Sequence, residues 1–372
     1  MAVADAAFIQ LQAHNDSTTL ERRHRGQVRA WLYFVSFVLL CLVVVGGATR
    51  LTDSGLSITQ WEPIHGVIPP LNEAQWQEEL AEYRLIPEYQ LQNKGMSLDE
   101  FKFIYWWEWG HRLLARGLGL VFAIPFFFFW ATGRLDRRIK LPLAGLLALG
   151  GLQGFIGWWM VSSGLTERVD VSHFRLAVHL TMAGLILMGL VWVARSIAPH
   201  ARDLRPTAGS TGAAALLSVA TLVQIYLGAL VAGMDAGLAI NTWPLMGEGL
   251  FPAVMWEEAL GWRNWIENPA IIQFTHRTGG YILFALYAMH LLACLRHAPG
   301  STHTRRAIVL FALVLVQIAI GVATLLTQVH LFWALAHQFT AFVMLGFAVA
   351  HWRGMVGALP FKNGDRHGFA SA

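Results

Sequence analysis

Apolar residues run in long unbroken blocks along this chain, and polar residues gather in the gaps between them. Eight blocks approach the roughly 20 residues needed to cross a bilayer as a helix. They cover 31–49, 111–132, 141–162, 173–194, 212–234, 272–295, 306–327 and 331–352. The blocks are continuous, whereas the strands of a membrane barrel alternate apolar and polar residues. The pattern therefore predicts an all-α polytopic membrane protein with eight transmembrane helices. The first 30 residues are polar and include Asp5, Asp16 and Glu21. They predict a flexible tail, since a transit peptide is poor in acids. The 57–105 stretch predicts amphipathic helical cover on one face.

Composition agrees with this pattern. The 372 residues are 55% hydrophobic and 13% charged, with mean hydropathy +0.48. Soluble domains carry roughly 25% charged residues. Basic residues sort to alternate loops. Arg22, Arg23, Arg25 and Arg29, then Arg134, Arg137, Arg138 and Lys140, then Arg195, Arg202 and Arg205 lie on one side. Arg296, Arg305 and Arg306, then Arg353, Lys362 and Arg366 join them, making 17 of the 27 Lys and Arg. The opposite 50–110 loop is acidic, with Glu62, Glu73, Glu78, Glu79, Glu82, Glu88, Asp99 and Glu100. The positive-inside rule then places both termini in the cytoplasm (or matrix). The formal net charge of +4 reflects this sorting and implies membrane lipid, not nucleic acid, as a partner. Cys41 and Cys294 sit in apolar blocks and read as small core residues, without a disulfide or thiolate metal pattern.

The chain repeats itself. Glu108-Trp-Gly-His111-Arg112 opens the second block and Gln273-Phe-Thr-His276-Arg277 opens the sixth. Gln153-x-x-x-Gly157 matches Gln317-x-x-x-Gly321, and His179 matches His337. Gly46-Gly47 to Asp53 resembles Ala232-Gly233 to Asp235. The repeat predicts two pseudo-symmetric four-helix bundles in the same orientation. Residues 1–30 would be a cytoplasmic tail, 31–194 the first half, 195–211 a cytoplasmic linker, 212–352 the second half and 353–372 a cytoplasmic tail.

His111, His179, His276 and His337 are the candidate chemistry. Imidazole is a good axial ligand for haem iron, and facing helices of a bundle build such sites from paired histidines. Each half supplies one pair. His65, His173, His290, His330 and His351 do not recur in both halves and read as ordinary interfacial or core residues. Arg112, Arg116 and Arg277 suit either haem propionates or snorkelling to the interface. Glu108 lies one helical turn before His111, where the second half has Gln273. An ionisable group in one half alone suggests a base or a charge stabiliser there. Pairing with Arg112, four residues on, is the structural alternative.

The Gly46-Gly47-Ala-Thr-Arg50-Leu-Thr-Asp53-Ser-Gly55-Leu-Ser stretch and the Glu108–Arg112 box resemble the haem A synthase family, across roughly 28–355. The likeness is to the mitochondrial and proteobacterial branch that lacks an outer-loop cysteine pair. It implies an oxidoreductase that converts haem O to haem A, taking the porphyrin C8 methyl to a formyl group with oxygen drawn from water. It also implies substrate haem near His111 and His179 with Arg112 and Arg116, an essential Glu108, and a resident haem b on His276 and His337 with Arg277. Haem O synthase would be the upstream donor, and cytochrome oxidase assembly factors and an unidentified electron acceptor would be partners. The implied location is the bacterial inner membrane rather than the mitochondrial one. A di-haem b-type electron-transfer cytochrome explains the four histidines equally well, but not the single Glu108. A haem or quinone transporter is a third reading, which the parallel repeat disfavours.

Overall fold

A computed structural model describes residues 2–61, 65–166, 168–199, 207–252 and 256–360. Arg202, Arg205, Lys362, Arg366 and Glu62 lie outside the described residues. The helices are α1 (Ala2–Leu51), α2 (Glu73–Tyr83), α3 (Pro87–Leu91), α4 (Leu98–Ala131), α5 (Arg137–Val161) and α6 (His173–Ser196). After them come α7 (Ala208–Gly233), α8 (Asn264–Glu267), α9 (Pro269–His297), α10 (Thr302–Leu326) and α11 (Leu331–Val356). Eight of these are long and apolar enough to cross a membrane, as the sequence predicts. The protein is a multi-pass membrane protein.

Helix ends differ from the predicted spans where local capping overrides hydropathy. The second span was expected from 111. Its helix starts at Leu98, because Ser97 and Glu100 form a reciprocal capping box that satisfies the first free N–H groups. His111 therefore sits about 20 Å along α4 rather than at its opening. Likewise Asn268 caps α9, with Pro269 in the first turn, seven residues before His276. The polar N-terminal stretch, expected as a flexible tail, is helix continuous with the first span. The 57–105 stretch does form helical cover, through α2 and α3. Trp76, Leu80, Tyr83, Phe101 and Tyr105 bury their faces in a separate small core there.

In the first four spans, α1 packs on α4 and α6, and α5 lies between α4 and α6. In the last four, α7 packs on α9 and α11, and α10 lies between α9 and α11. The two sets meet through α6 on α7 and α11, and α1 on α11. The main apolar core follows this seam, joining Leu32, Leu143 and Leu190 to Phe342 and Leu345. Polar ties cross it as well. Gln338 Nε2 donates to the Val43 carbonyl at 3.1 Å. Arg50 donates to Asp53 at 3.0 Å and to Asp235 at 2.8 Å. Asp53 and Asp235, matched in the sequence repeat, both take left-handed backbone, φ 48° and 49°. Large apolar side chains such as Phe37, Ile124, Phe127, Leu185, Leu315 and Phe347 stay exposed on the spans. That is a hazard in water and ordinary in lipid.

Candidate functional site

Each of the four candidate histidines is half-buried between helices, with its ring over a glycine of the neighbouring helix. A Cβ at Gly46 of α1 would lie 2.9 Å from His111 Nε2 on α4. At Gly157 of α5 it would lie 3.0 Å from His179 Cε1 on α6. At Gly228 of α7 the distance to His276 Cε1 is 3.0 Å, and at Gly321 of α10 the distance to His337 Cε1 is 2.7 Å. Real side chains essentially never come as close as at Gly46 and Gly321 and rarely as close as at Gly157 and Gly228, so the four glycines make room for the rings. Three of the four, Gly46, Gly157 and Gly321, lie inside the motifs that repeat in the sequence.

Three rings are also held by a glutamine one turn before that glycine. Gln153 Nε2 lies 3.2 Å from His179 Nδ1 and 3.0 Å from the His179 carbonyl. Gln317 stands in the same relation to His337, at 3.1 and 3.0 Å. Gln224 does the same for His276, at 3.0 and 2.8 Å. Gln224-x-x-x-Gly228 is a third copy of the motif, outside the pairs matched in the sequence repeat although its spacing is plain there. At the fourth place α1 carries Leu42-x-x-x-Gly46, and His111 has no amide partner among the described residues.

The His276 and His337 ring centroids are 6.4 Å apart and their planes stand at 82°. A metal held about 2 Å from each of two imidazole nitrogens places the centroids roughly 6 to 6.5 Å apart. His111 and His179 are close enough to interact electrostatically. The amides fit the same purpose. As placed, Gln153 Oε1 and Gln317 Oε1 are buried without partners. Each Nε2 donates to the carbonyl of its own histidine and lies against the ring, so the amide fixes where the ring stands over its glycine. The spacing, the glycine cradle and the donor set all suit a flat macrocycle bound through two histidines.

Glu108 is 2% exposed and fully engaged. Its Oε2 accepts from the Ser57 hydroxyl at 2.8 Å and the Ile58 N–H at 2.7 Å. Its Oε1 accepts from Arg112 Nε at 3.0 Å and Nη2 at 2.5 Å. Every partner is a donor, so the environment is built for the carboxylate. Arg112 also donates to the carbonyls of Gln60 at 3.0 Å and Ile58 at 2.8 Å. The expected Arg112 partnership thus goes to Glu108 and the 58–60 loop. Arg277 donates to the carbonyls of Ile240, Thr242 and Leu245 at 3.2, 2.7 and 3.4 Å. Both arginines brace the loop that follows the preceding span. Arg116 lines a pocket of about 380 Å³ with Arg112, Glu78, Glu79 and Glu82.

Gln273, at the place matching Glu108, is also 2% exposed. Its Nε2 donates to the Ile240 carbonyl at 3.1 Å, and its Oε1 is buried without a partner. So one half holds a braced anion beside its histidine pair and the other a neutral amide. Above α4, Glu88 is buried, with the Tyr83 hydroxyl donating to it at 3.0 Å and Asn93 donating to Tyr83 at 2.7 Å. Burial pushes Glu88 up to about 8 and also raises the Tyr83 hydroxyl. Elsewhere, His290 and His351, given no role from the sequence, come together with Cys294.

Comparison with known proteins agrees with the geometry. The family model for COX15-CtaA, cytochrome oxidase assembly protein, matches residues 29–349. The chain is 56% identical over 360 residues to "Heme A synthase" of Rhizobium meliloti (strain 1021), covering 97% of this chain and 98% of that protein. It is 55% identical over 361 residues to "Heme A synthase" of Sinorhizobium fredii (strain NBRC 101917 / NGR234), covering 97% and 98%. It is 60% identical over 345 residues to "Heme A synthase" of Chelativorans sp. (strain BNC1), covering 92% and 95%.

Proposed function

Because this chain belongs to the haem A synthase family of cytochrome oxidase assembly proteins, we propose that its two four-helix halves divide the work, substrate haem in the first and haem b in the second. Its reaction is the conversion of haem O to haem A. In the first half, His111 and His179 hold the substrate. In the second, His276 and His337 hold haem b, which supplies one-electron redox chemistry when bound. Oxidation of a methyl to a formyl with oxygen from water releases four electrons and four protons, so an acceptor outside the chain is required.

The observation that carries the division is the braced carboxylate. Glu108 lies one turn from His111, and only the first half has it. A carboxylate fixed beside the substrate stabilises positive charge developing on it and takes up a released proton. Ser57, Ile58 N–H and Arg112 are positioning groups for it. The missing amide at His111 supports the same division. Substrate must enter and product must leave, while a resident haem must stay. Outer-shell partners of a ligating histidine typically contribute about 10- to 100-fold in affinity. The half with one amide-held histidine would therefore exchange its haem, and the half with two would retain it.

In orientation, the histidine pairs face the outer side and both termini face the cytoplasm of a bacterial inner membrane, in keeping with the sorted arginines. Haem O synthase would supply substrate and assembly factors of cytochrome oxidase would receive product. The test is pigment extraction from the purified protein after co-expression with a haem O synthase. This reading expects haem B together with haem O or haem A. Haem B alone would favour the di-haem electron-transfer cytochrome.

A further inference from the structure

The helices that carry His276 and His337 each carry a second histidine 14 residues further on, His290 on α9 and His351 on α11. Fourteen residues are about 21 Å of helix and nearly four full turns, so the second pair returns to almost the same face. Their surroundings differ from those of the first pair. The ring centroids are 5.1 Å apart instead of 6.4 Å, and the Nε2 atoms are 2.9 Å apart. Both side chains are buried, at 5% and 1% exposed. No glycine among the described residues faces either ring. The seam has closed, leaving space for an ion but not for a macrocycle.

A third donor completes the cluster. Cys294, one turn after His290 and 6% exposed, places Sγ 3.6 Å from His290 Nε2. The three donor atoms lie within 4.8 Å of one another. Four-coordinate geometry with bonds of about 2.0 Å to nitrogen and 2.3 Å to sulfur separates the donors by roughly 3.3 Å (N to N) and 3.6 Å (N to S). The His290–His351 and His290–Cys294 separations need only a few tenths of an ångström of adjustment, and the third pair lies within 4.8 Å. Hydrogen bonding alone leaves the cluster incomplete. If His290 donates to His351, the remaining His351 proton sits on Nδ1. If His351 donates, its Nδ1 is a bare acceptor. In the structure that nitrogen is buried without a partner. The cluster is also not demanded by the fold. At the offset of 165 that relates His111 to His276, positions 290 and 294 correspond to Pro125 and Phe129. At the offset of 158 that relates His179 to His337, position 351 corresponds to Val193. Phe129 and Val193 are buried hydrocarbon in the core.

We propose that His290, Cys294 and His351 bind one soft monovalent cation, Cu(I), near the end of the second half opposite its haem pair. Thiolate and imidazole select soft or borderline metals. Charge selects among them. Binding displaces the thiol proton, so Cu(I) with one thiolate and two neutral imidazoles is uncharged. Zn(II) would leave a positive charge in an apolar seam that already faces Arg306 and His303. Met355, a soft thioether, packs in the same buried cluster as Cys294.

The test uses the full-length protein purified in detergent with its haem, under reducing conditions, titrated with Cu(I) in competition with bicinchoninate. A Cys41→Ser background leaves Cys294 as the sole thiol. The expected result is uptake of one Cu(I) per chain, protection of Cys294 from N-ethylmaleimide by Cu(I), and loss of uptake in Cys294→Ser with haem content unchanged. If Cys294→Ser loses its haem, His351→Gln is titrated in its place, and it too should fail to take up Cu(I). No uptake by the Cys41→Ser protein, equal uptake by the haem-retaining variant, or binding of Zn(II) in preference to Cu(I) would each overturn the proposal.

Discussion

Alanine at the ring-facing glycines should separate the two proposed haem sites. A Cβ at Gly321 would stand 2.7 Å from His337 Cε1, against an ordinary carbon–carbon contact of roughly 3.5 Å or more. The ring or α10 must yield by about 0.8 Å, in a site where, on the proposed function, a metal bond would fix the ring. Overpacking of this kind costs about 1–3 kcal/mol, which is roughly 5- to 140-fold in haem affinity. The substitution raises helix propensity by about 0.5–1 kcal/mol, so any loss arises at the ring and not from a weakened helix. Gly321→Ala should emerge from purification with its haem B per chain sharply reduced, read by extraction and chromatography against total protein. Gly46→Ala, whose Cβ would stand 2.9 Å from His111 Nε2, should keep haem B and lose haem A. Wild-type haem B in Gly321→Ala would refute the cradle argument. Loss of haem B in Gly46→Ala would refute the division between the halves.

Further expectations follow from the same geometry. Gln317→Leu removes the amide at His337 and should speed loss of haem B to an apo-haem acceptor by about 10- to 100-fold. Leu42→Gln gives His111 the kind of amide partner that the other three have, and should raise the haem O or haem A retained through purification while slowing turnover. Glu88 stands at about 8 in the folded protein against a usual 4.5, so between these values the folded state holds a proton that the unfolded chain has lost. The stability from this group is complete below about pH 4.5 and is lost as pH rises to about 8, by a few kcal/mol at most. Glu88→Gln should flatten that part of the pH dependence of thermal unfolding; an unchanged slope would mean that Glu88 is not buried as a neutral acid.

Much of this protein was legible in its sequence because lipid leaves few choices. Backbone groups in the bilayer must pair within the segment, so eight apolar blocks had to be eight helices. The four histidines stood out because each site recurs. The helix starts were less legible: Ser97 and Asn268 set them through hydrogen bonds that hydropathy does not register. The partners of Arg112 and Arg277 were hidden for a related reason. Their guanidiniums reach main-chain carbonyls of loops about 32 to 54 residues away in sequence, and carbonyls carry no side-chain signature. The role of Gly46, Gly157, Gly228 and Gly321 depends on which ring lies opposite, a matter of helix rotation rather than composition. The His290–Cys294–His351 cluster was missed because only His290 and Cys294 share a helix turn, while His351 arrives from α11.

The most direct test of the central claim is Glu108→Gln, co-expressed with a haem O synthase and analysed by acid–acetone extraction and chromatography of its haems. The substitution gives the first half the neutral amide that the second half has in Gln273. The account predicts retained haem B, haem O in place of haem A, and abundant haem A from the wild type. Equal haem A from variant and wild type would show that Glu108 only braces the 57–60 loop, and the division of labour drawn from it would fall.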